Sequence, residues 1–397
     1  MNNAFSPADV PAAPTRDLLP DVLRGIALLG ILFVNFEYYS LPSVFHPQYK
    51  SVVFPGIADR TATWLINCFA EGKFILIFSF LFGYGLTRQM ESARVGSASP
   101  LSRYRRRLLG LFLIGLAHAV FLFVGDILVT YALLGLLLIP FRSASPRRLL
   151  RAAAFCGLLS LIGHAILGAS FSPGTLDREA ASQVVAIYAQ GSFSEIILQR
   201  LRELVYLYAA TPLLFAPSVF GLFLLGVWAG RTGLLQDSGM HHKPLLKRIT
   251  GWCLPLGLIG NAIYATLLQN ETPELFLPGT CLRAVVVPLL GFAYLSGITL
   301  LLQKIQWRRY TGHLVLLGRL SLSNYLFESI MGCLIFTRYG LGLYGKVGPA
   351  AGLIFVLGIH GIQILLSHWW LRRYSIGPAE WLLRWFITLP TRNDRSD

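Results

Sequence analysis

Asn35 and His46 stand at the end of the first long apolar run, Val22–Phe36, in a stretch crowded with tyrosine and proline. A histidine can accept and return a proton near neutral pH, and an amide beside it can orient a substrate or steady developing negative charge. Both groups are costly to bury in hydrocarbon without partners, so the pair needs either a hydrogen-bonding or a chemical reason to be there. The plain alternative is a histidine marking the membrane boundary. A second set comprises Glu71 and Lys73 on the next apolar run, His118 on the third and Asp126 in the tight turn after it. Glu71 and Lys73 are two residues apart and point to different helix faces, so each needs a partner on another helix. This set reads either as a salt-bridge network that holds helices together or as groups that move protons or touch substrate. Fewer polar groups fall at the opposite end: Arg24, Ser79 and Arg319, with Arg105 and Arg106 in a basic cluster. Such arginines can neutralise the phosphates of a nucleotide-bearing donor, and the ordinary excess of cytoplasmic Lys and Arg explains the cluster equally well.

The elements that must position these groups are membrane helices. Of 397 residues, 54% are hydrophobic and only 13% charged, with a mean hydropathy of +0.59. Water-soluble domains carry roughly a quarter charged residues. The pattern predicts an all-α, polytopic integral membrane protein of about ten transmembrane helices, each close to the 20 residues that cross a bilayer. The spans are expected at 21–40, 60–89, 104–123, 126–142, 149–170, 212–231, 250–269, 281–303, 313–336 and 349–371. Met1–Thr15 has no basic start and no cleavable apolar core, so the first run is expected to remain as a span.

A net charge of +15 arises from basic residues clustered between apolar runs, which points to cytoplasmic loops and away from nucleic acid. The clusters place both termini in the cytoplasm. The chain reads as one transmembrane domain, 1–397, with a cytoplasmic N-terminal segment (1–20), an external loop (172–211) and a cytoplasmic tail (372–397). The external loop has an amphipathic stretch, Glu195–Tyr208, expected to rest on the outer surface as a partial lid. The tail carries an interfacial helix with Trp381, Trp385 and Phe386 on its apolar side. The five cysteines are single and form no CxxC pair, so they read as small buried hydrophobes and not as a disulfide frame or metal site.

Four separated motifs, in order, resemble the YeiB family of bacterial inner-membrane proteins. They are Asp21–Asn35 (DVLRGIALLGILFVN), Glu71–Phe74 with Phe78–Gly83, His118 with Gly125–Leu128 and Tyr131–Leu133, and Gly318–Tyr325 (GRLSLSNY) with Gly340–Leu343. That family is more distantly similar to heparan-α-glucosaminide N-acetyltransferase of the transmembrane acyltransferase superfamily. There a first-span asparagine precedes a histidine implicated in acetyl transfer, and Asn35 and His46 occupy the matching places.

The resemblance implies transfer of an acyl group, most simply acetyl, from cytosolic acyl-CoA to a hydroxyl or amine acceptor on the periplasmic side. The acceptor class is an envelope glycan, lipid or small molecule. Arg24, Ser79, Arg105, Arg106 and Arg319 would face the donor, and no metal is implied. His46 would take the acceptor's proton while Asn35 positions the thioester. His118 and Asp126 would form a second proton-handling pair, and Glu71, Lys73, Asn324 and Glu328 would contact substrate. The distant relative leaves a homodimer open. Transport or lipid handling through the intramembrane Glu, Lys, His and Asp groups is the competing reading, and a structural partner without chemistry is the third.

Overall fold

The computed structural model describes residues 18–92, 99–170, 175–235, 242–270, 273–304, 307 and 309–388. The expected N-terminal segment through residue 17, Arg94, residues 171–174 of the external loop and the tail beyond Thr388 lie outside the described residues. Within them the protein is all-helical, with no strand. The helices are α1 (Leu19–Ser40), α2 (Tyr49–Val53), α3 (Ile57–Phe69), α4 (Lys73–Ser92), α5 (Pro100–Phe121), α6 (Leu128–Leu138), α7 (Pro146–Ser170) and α8 (Arg178–Gln190). They continue with α9 (Phe193–Leu214), α10 (Ala216–Thr232), α11 (Lys243–Gln269), α12 (Pro273–Leu302), α13 (Gly312–Arg319), α14 (Ser321–Phe336), α15 (Pro349–Leu371) and α16 (Pro378–Thr388).

Among the described residues, six segments are long and apolar enough to cross a membrane: α1, α3 with α4, α7, α11, α12 and α15. A seventh is added if α9 and α10, bent by 56° at Phe215, count as one span. The expected runs at 104–123, 126–142 and 313–336 are helical too, but shorter or more polar. Helix α5 opens with Arg103, Arg105, Arg106 and Arg107, α6 has 11 residues, and α14 has 16. The chain is a membrane protein by the apolar surface of its helices. On α15, Gln363 and Ser367 are buried while Ile354 and Leu365 are more than 70% exposed. A polar inner face and an apolar outer face suit a helix whose outer solvent is lipid.

Close helix crossings hold the bundle together, as expected where lipid removes much of the hydrophobic drive for helix association. A Cβ on Gly83 would sit 2.0 Å from the Phe223 carbonyl oxygen, and one on Gly226 would sit 2.0 Å from that of Phe80. Glycine therefore lets the backbones of α4 and α10 touch. Gly25 and Gly318 do the same between α1 and α13, against Leu314 and Asp21.

Two features bear on function. First, α9 is more than a surface helix: it buries Gln199, Arg200 and Glu203 and closes the end of the bundle where α1 and α5 finish. A Ser192–Glu195 capping box satisfies its first N–H groups. Second, α16 is fastened to α14, because Glu380 accepts from the Leu322 and Ser323 backbone N–H groups at 2.8 and 3.2 Å. Those N–H groups have no partner within a helix, and a carboxylate at a helix N-terminus is favoured. Trp381 and Trp385 of α16 stay largely exposed.

Candidate functional site

The helix that carries His118 ends one turn later. The Leu122 and Phe123 amides both donate to the His118 carbonyl, at 2.9 and 2.8 Å, and the chain turns through Gly125 to Asp126. Asp126 Oδ1 then accepts from Val129 N at 2.9 Å, satisfying one of the free N–H groups that open α6. A Cβ on Gly115 would lie 2.8 Å from Val129 N and 3.0 Å from Asp126 Oδ1, so only a glycine one turn before His118 lets this corner close. The turn thereby delivers Asp126 Oδ2 to His118 Nδ1 at 2.7 Å.

The other ring nitrogen faces α14. His118 Nε2 lies 2.7 Å from Ser329 Oγ, and Ser329 Oγ lies 2.8 Å from Tyr39 OH on the last turn of α1. Asn35 lies one turn before Tyr39 on α1. His118 is 2% exposed, Asp126 7% and Ser329 0%. Proton positions follow from the acceptors. An ionised Asp126 can only accept, so Nδ1 carries the hydrogen. In the neutral tautomer that this bond selects, Nε2 accepts from Ser329, whose oxygen can accept from Tyr39. The result is a directed chain from Tyr39 through Ser329 and His118 to Asp126.

A carboxylate that fixes the imidazole tautomer while Nε2 faces a hydroxyl is the arrangement by which a histidine removes a hydroxyl proton. Phe123 and Tyr325 wall the ring, with centroids 6.1 and 4.9 Å from that of His118. Arg200 of α9 covers this end, donating to the Phe121 carbonyl and, at 3.3 Å, to Cys333 Sγ on α14. A gap of about 20 Å³ opens between Tyr39, Phe123, Arg200 and Cys333.

His46 stands apart from this chain of bonds. Its backbone N donates to Pro42 O in the loop after α1, and its half-buried imidazole makes no hydrogen bond among the described residues. Burial lowers its pKa from the ordinary 6.5, with Asp177 opposing the shift. The chain of bonds from His118 thus reaches α1 at Tyr39, and no hydrogen bond joins Asn35 to His46 among the described residues. A cavity of about 260 Å³ lies near this loop. It is lined by Lys50, Phe54, Asp59, Arg60, Asn67 and Gln269 among others. Lys50 also pairs with Glu37 at 2.7 Å, and the buried Asn67 Nδ2 has no hydrogen-bond partner.

Glu71 and Lys73 go separate ways at the break between α3 and α4. Glu71 pairs with Arg283 of α12 at 2.5 Å, and Arg283 Nη1 donates to His164 Nε2 at 2.7 Å. Lys73 instead donates to the Asn67 carbonyl at 2.7 Å. Arg283 and His164 also line an apolar cavity of about 250 Å³. Asn324 and Glu328 belong to a further network between α14 and α15. Gln363 Nε2 donates to Glu328 Oε1 at 3.0 Å and to the Asn324 carbonyl at 3.1 Å, and Asn324 Nδ2 donates to Ser367 at 3.1 Å. Glu328 is fully buried, and its Oε2 has no hydrogen-bond partner.

At the opposite end, Arg24 donates to Asp21 at 3.2 Å, Arg106 to the Ile387 carbonyl at 3.3 Å and Arg319 to the Ser375 carbonyl at 3.1 Å. Arg105 is exposed. Ser79 shares a hydrogen with Tyr131 at 2.6 Å and donates to Ile75 O at 2.7 Å. Arg107 belongs to the same basic cluster, Arg103–Arg107, and is its most deeply placed guanidinium. It stacks 5.2 Å from the Phe82 ring centroid, and its buried Nη1 has no hydrogen-bond partner. Among the described residues no group of three or more His, Cys, Asp or Glu side chains could hold a metal ion.

Sequence reasoning passed over Ser329, Tyr39, Arg283 and Arg200. Arg283 had a signal, since a lone arginine in an apolar run demands a partner and Glu71 demanded one too. Ser329 and Tyr39 had none, because single hydroxyls on apolar helices are ordinary.

Comparison with known proteins finds relatives over nearly the whole chain. Residues 229–390 match a family described as a protein of unknown function (DUF418). The uncharacterized protein YxaH of Bacillus subtilis (strain 168) is 35% identical over 381 residues, covering 92% of each chain. The uncharacterized protein YeiB of Escherichia coli (strain K12) is 27% identical over 385 residues, covering 93% of this chain and 95% of its own. An uncharacterized 39.9 kDa protein of Bacillus acidopullulyticus is 28% identical over 365 residues. With that similarity running through both halves of the molecule, the chain belongs to the YeiB-like DUF418 family.

Proposed function

We propose that the protein is a transmembrane acyltransferase. It takes an acyl group, most simply acetyl, from cytosolic acyl-CoA and passes it to a hydroxyl or amine of an envelope glycan, lipid or small molecule outside the inner membrane. In this reading ten segments cross the membrane, both termini are cytoplasmic, and the α1 C-terminal end faces out. The observation that carries it is His118, held by Asp126 on one nitrogen and presenting the other to a hydroxyl, in a site closed to water.

Each residue's task follows from its place. Asp126 keeps His118 in the tautomer that accepts at Nε2 and stabilises the imidazolium once a proton arrives. The Tyr39 O–H stands beside the same hydroxyl, where it can meet charge developing on a carbonyl oxygen, and Asn35 lies one turn before it on α1. Burial strengthens these interactions and suppresses hydrolysis of a thioester. At the other end Arg107 offers a buried N–H without a protein acceptor, and Arg24 lies close enough for the two charges to repel. A buried guanidinium N–H without an acceptor, with the Asp21-paired Arg24 beside it, fits a phosphate of a CoA donor. The 260 Å³ cavity near the α1 C-terminus is the natural approach for an acceptor.

Thermal-shift titration with acetyl-CoA and longer acyl-CoA thioesters tests this, since a ligand that binds only the folded state raises the melting temperature. The reading predicts stabilisation that weakens in Arg107→Ala. If no acyl-CoA of any length stabilises the wild-type protein, it fails.

Transport or lipid handling is the second reading, favoured by the Glu71–Arg283–His164 cluster beside an apolar cavity of about 250 Å³. Substrate counterflow in proteoliposomes that survives His118→Ala would select it.

A further inference from the structure

Ser329 departs from the habit of several helical hydroxyls in this chain. A serine or threonine inside a helix commonly returns its hydrogen to the carbonyl four residues back. Ser40 does so with Phe36, Ser79 with Ile75, Ser296 with Phe292, Thr299 with Leu295 and Thr337 with Cys333. Ser329, in the middle of α14, bonds instead to His118 Nε2 and Tyr39 OH, both on other helices. One turn further on, Gly332 leaves room for this, because a Cβ there would lie 2.8 Å from the Tyr39 ring. The oxygen is thus held at 2.7 Å from a histidine whose other nitrogen is 2.7 Å from a buried carboxylate. That is the spacing of a nucleophile, its general base and the orienting acid.

We propose that Ser329 is a nucleophile that carries the acyl group covalently between donor and acceptor. The proposal rests on the acyltransferase reading for its substrate, and it makes the reaction a double displacement. In the first half, Ser329 Oγ attacks the thioester carbonyl carbon and gives its proton to His118 Nε2. The carbonyl oxygen takes the negative charge, facing the Tyr39 O–H. The C–S bond then breaks, and the CoA sulfur leaves with the proton from His118. In the second half, the acceptor hydroxyl or amine attacks the Ser329 ester and its proton passes to His118. The C–Oγ bond breaks and the proton returns to Ser329. Thioester and acceptor are consumed, acylated acceptor and free CoA thiol are formed, and no oxidant or reductant is required. A buried serine ester would also let donor and acceptor be handled in separate steps from opposite sides.

The test is rapid quench of the purified full-length protein with acetyl-CoA and no acceptor, followed by peptide mass mapping, alongside thiol release. The wild type is expected to release a burst of about one CoA thiol per protein and to carry an acetyl group on Ser329. Ser329→Ala, folded to the wild-type melting temperature, is expected to lose the burst and to fall on the order of 10³-fold or more in turnover. A wild-type protein that turns over without acyl-Ser329, or a Ser329→Ala protein within threefold of the wild-type rate, overturns the proposal.

A fluorophosphonate probe separates this outcome from failure of the acyl-CoA reading. If no acyl-CoA reacts but the probe labels Ser329 in the wild type and not in His118→Ala, the nucleophile stands and the donor is wrong. If the folded protein reacts at Ser329 with neither reagent, the nucleophile is wrong.

Discussion

Replacing Asp126 by asparagine changes one atom and should reverse the proton order of the whole site. The Asn oxygen keeps the bond from Val129 N, now 2.9 Å from Asp126 Oδ1, so the turn into α6 survives. The amide NH₂ then takes the place of Oδ2, 2.7 Å from His118 Nδ1, and offers hydrogens where the carboxylate accepted one. The imidazole must move its own hydrogen to Nε2, which faces Ser329 as a donor and can no longer accept the hydroxyl proton. Wrong-tautomer substitutions of this kind cost on the order of 10⁴ in turnover, or about 5 kcal/mol of transition-state stabilisation. Exchanging a charge-assisted bond for a neutral one costs about 1–2 kcal/mol of stability, a fall of a few degrees in melting temperature. Turnover by thiol release and melting temperature, measured on the same preparation, separate the two effects. Asp126→Asn protein that keeps more than about a tenth of the wild-type rate would refute the tautomer argument.

Other consequences concern the frame. Gly226→Ala forces a methyl group against the Phe80 carbonyl of a packed backbone, so a loss of about 3 kcal/mol is expected; an unchanged melting temperature would mean α4 and α10 do not touch. Arg283→Ala strands Glu71, and because the two side chains are 34% and 20% exposed the cost should be about 2–3 kcal/mol, below that of a fully buried pair. The double variant Arg283→Met with Glu71→Leu should recover most of the melting temperature lost in the single one, and failure to recover would show that the pair does more than neutralise charge. His46 has a pKa lowered by burial, so the folded state favours the neutral ring. Its contribution is present above pH 6.5 and is lost as pH falls through the lowered value, so His46→Gln should flatten the decline in melting temperature below that pH. An identical acid profile for the variant would contradict the shift.

The helices were readable because hydrophobic runs of bilayer length have few alternatives, and each of the ten expected segments is helical. Their interruptions were not. The breaks at Ala70–Gly72, Phe215 and Leu320 depend on which helix each half packs against; Gly72, Pro212 and Pro217 mark two of them as weak points but do not say where each half goes. The sequence placed Asp126 in the tight turn after the helix of His118, and the family resemblance implied that the two act as a pair; the turn does bring the chain back onto the helix it has just left. Ser329 lies 211 residues further along, and only the packing of α14 against α5 brings it to the same ring. His46 drew attention by chemistry and neighbours, yet the side chain that meets the buried carboxylate is His118. Lys73 shows the same limit, since its need for a partner was evident and the partner proved to be a backbone carbonyl.

The most direct test of the central claim compares CoA thiol release from acetyl-CoA by wild-type and His118→Ala protein, each shown to melt at the same temperature. The account predicts time-dependent release of at least one thiol per wild-type protein and none above background from the variant. Equal release from both, or none from either with any acyl-CoA, would contradict it.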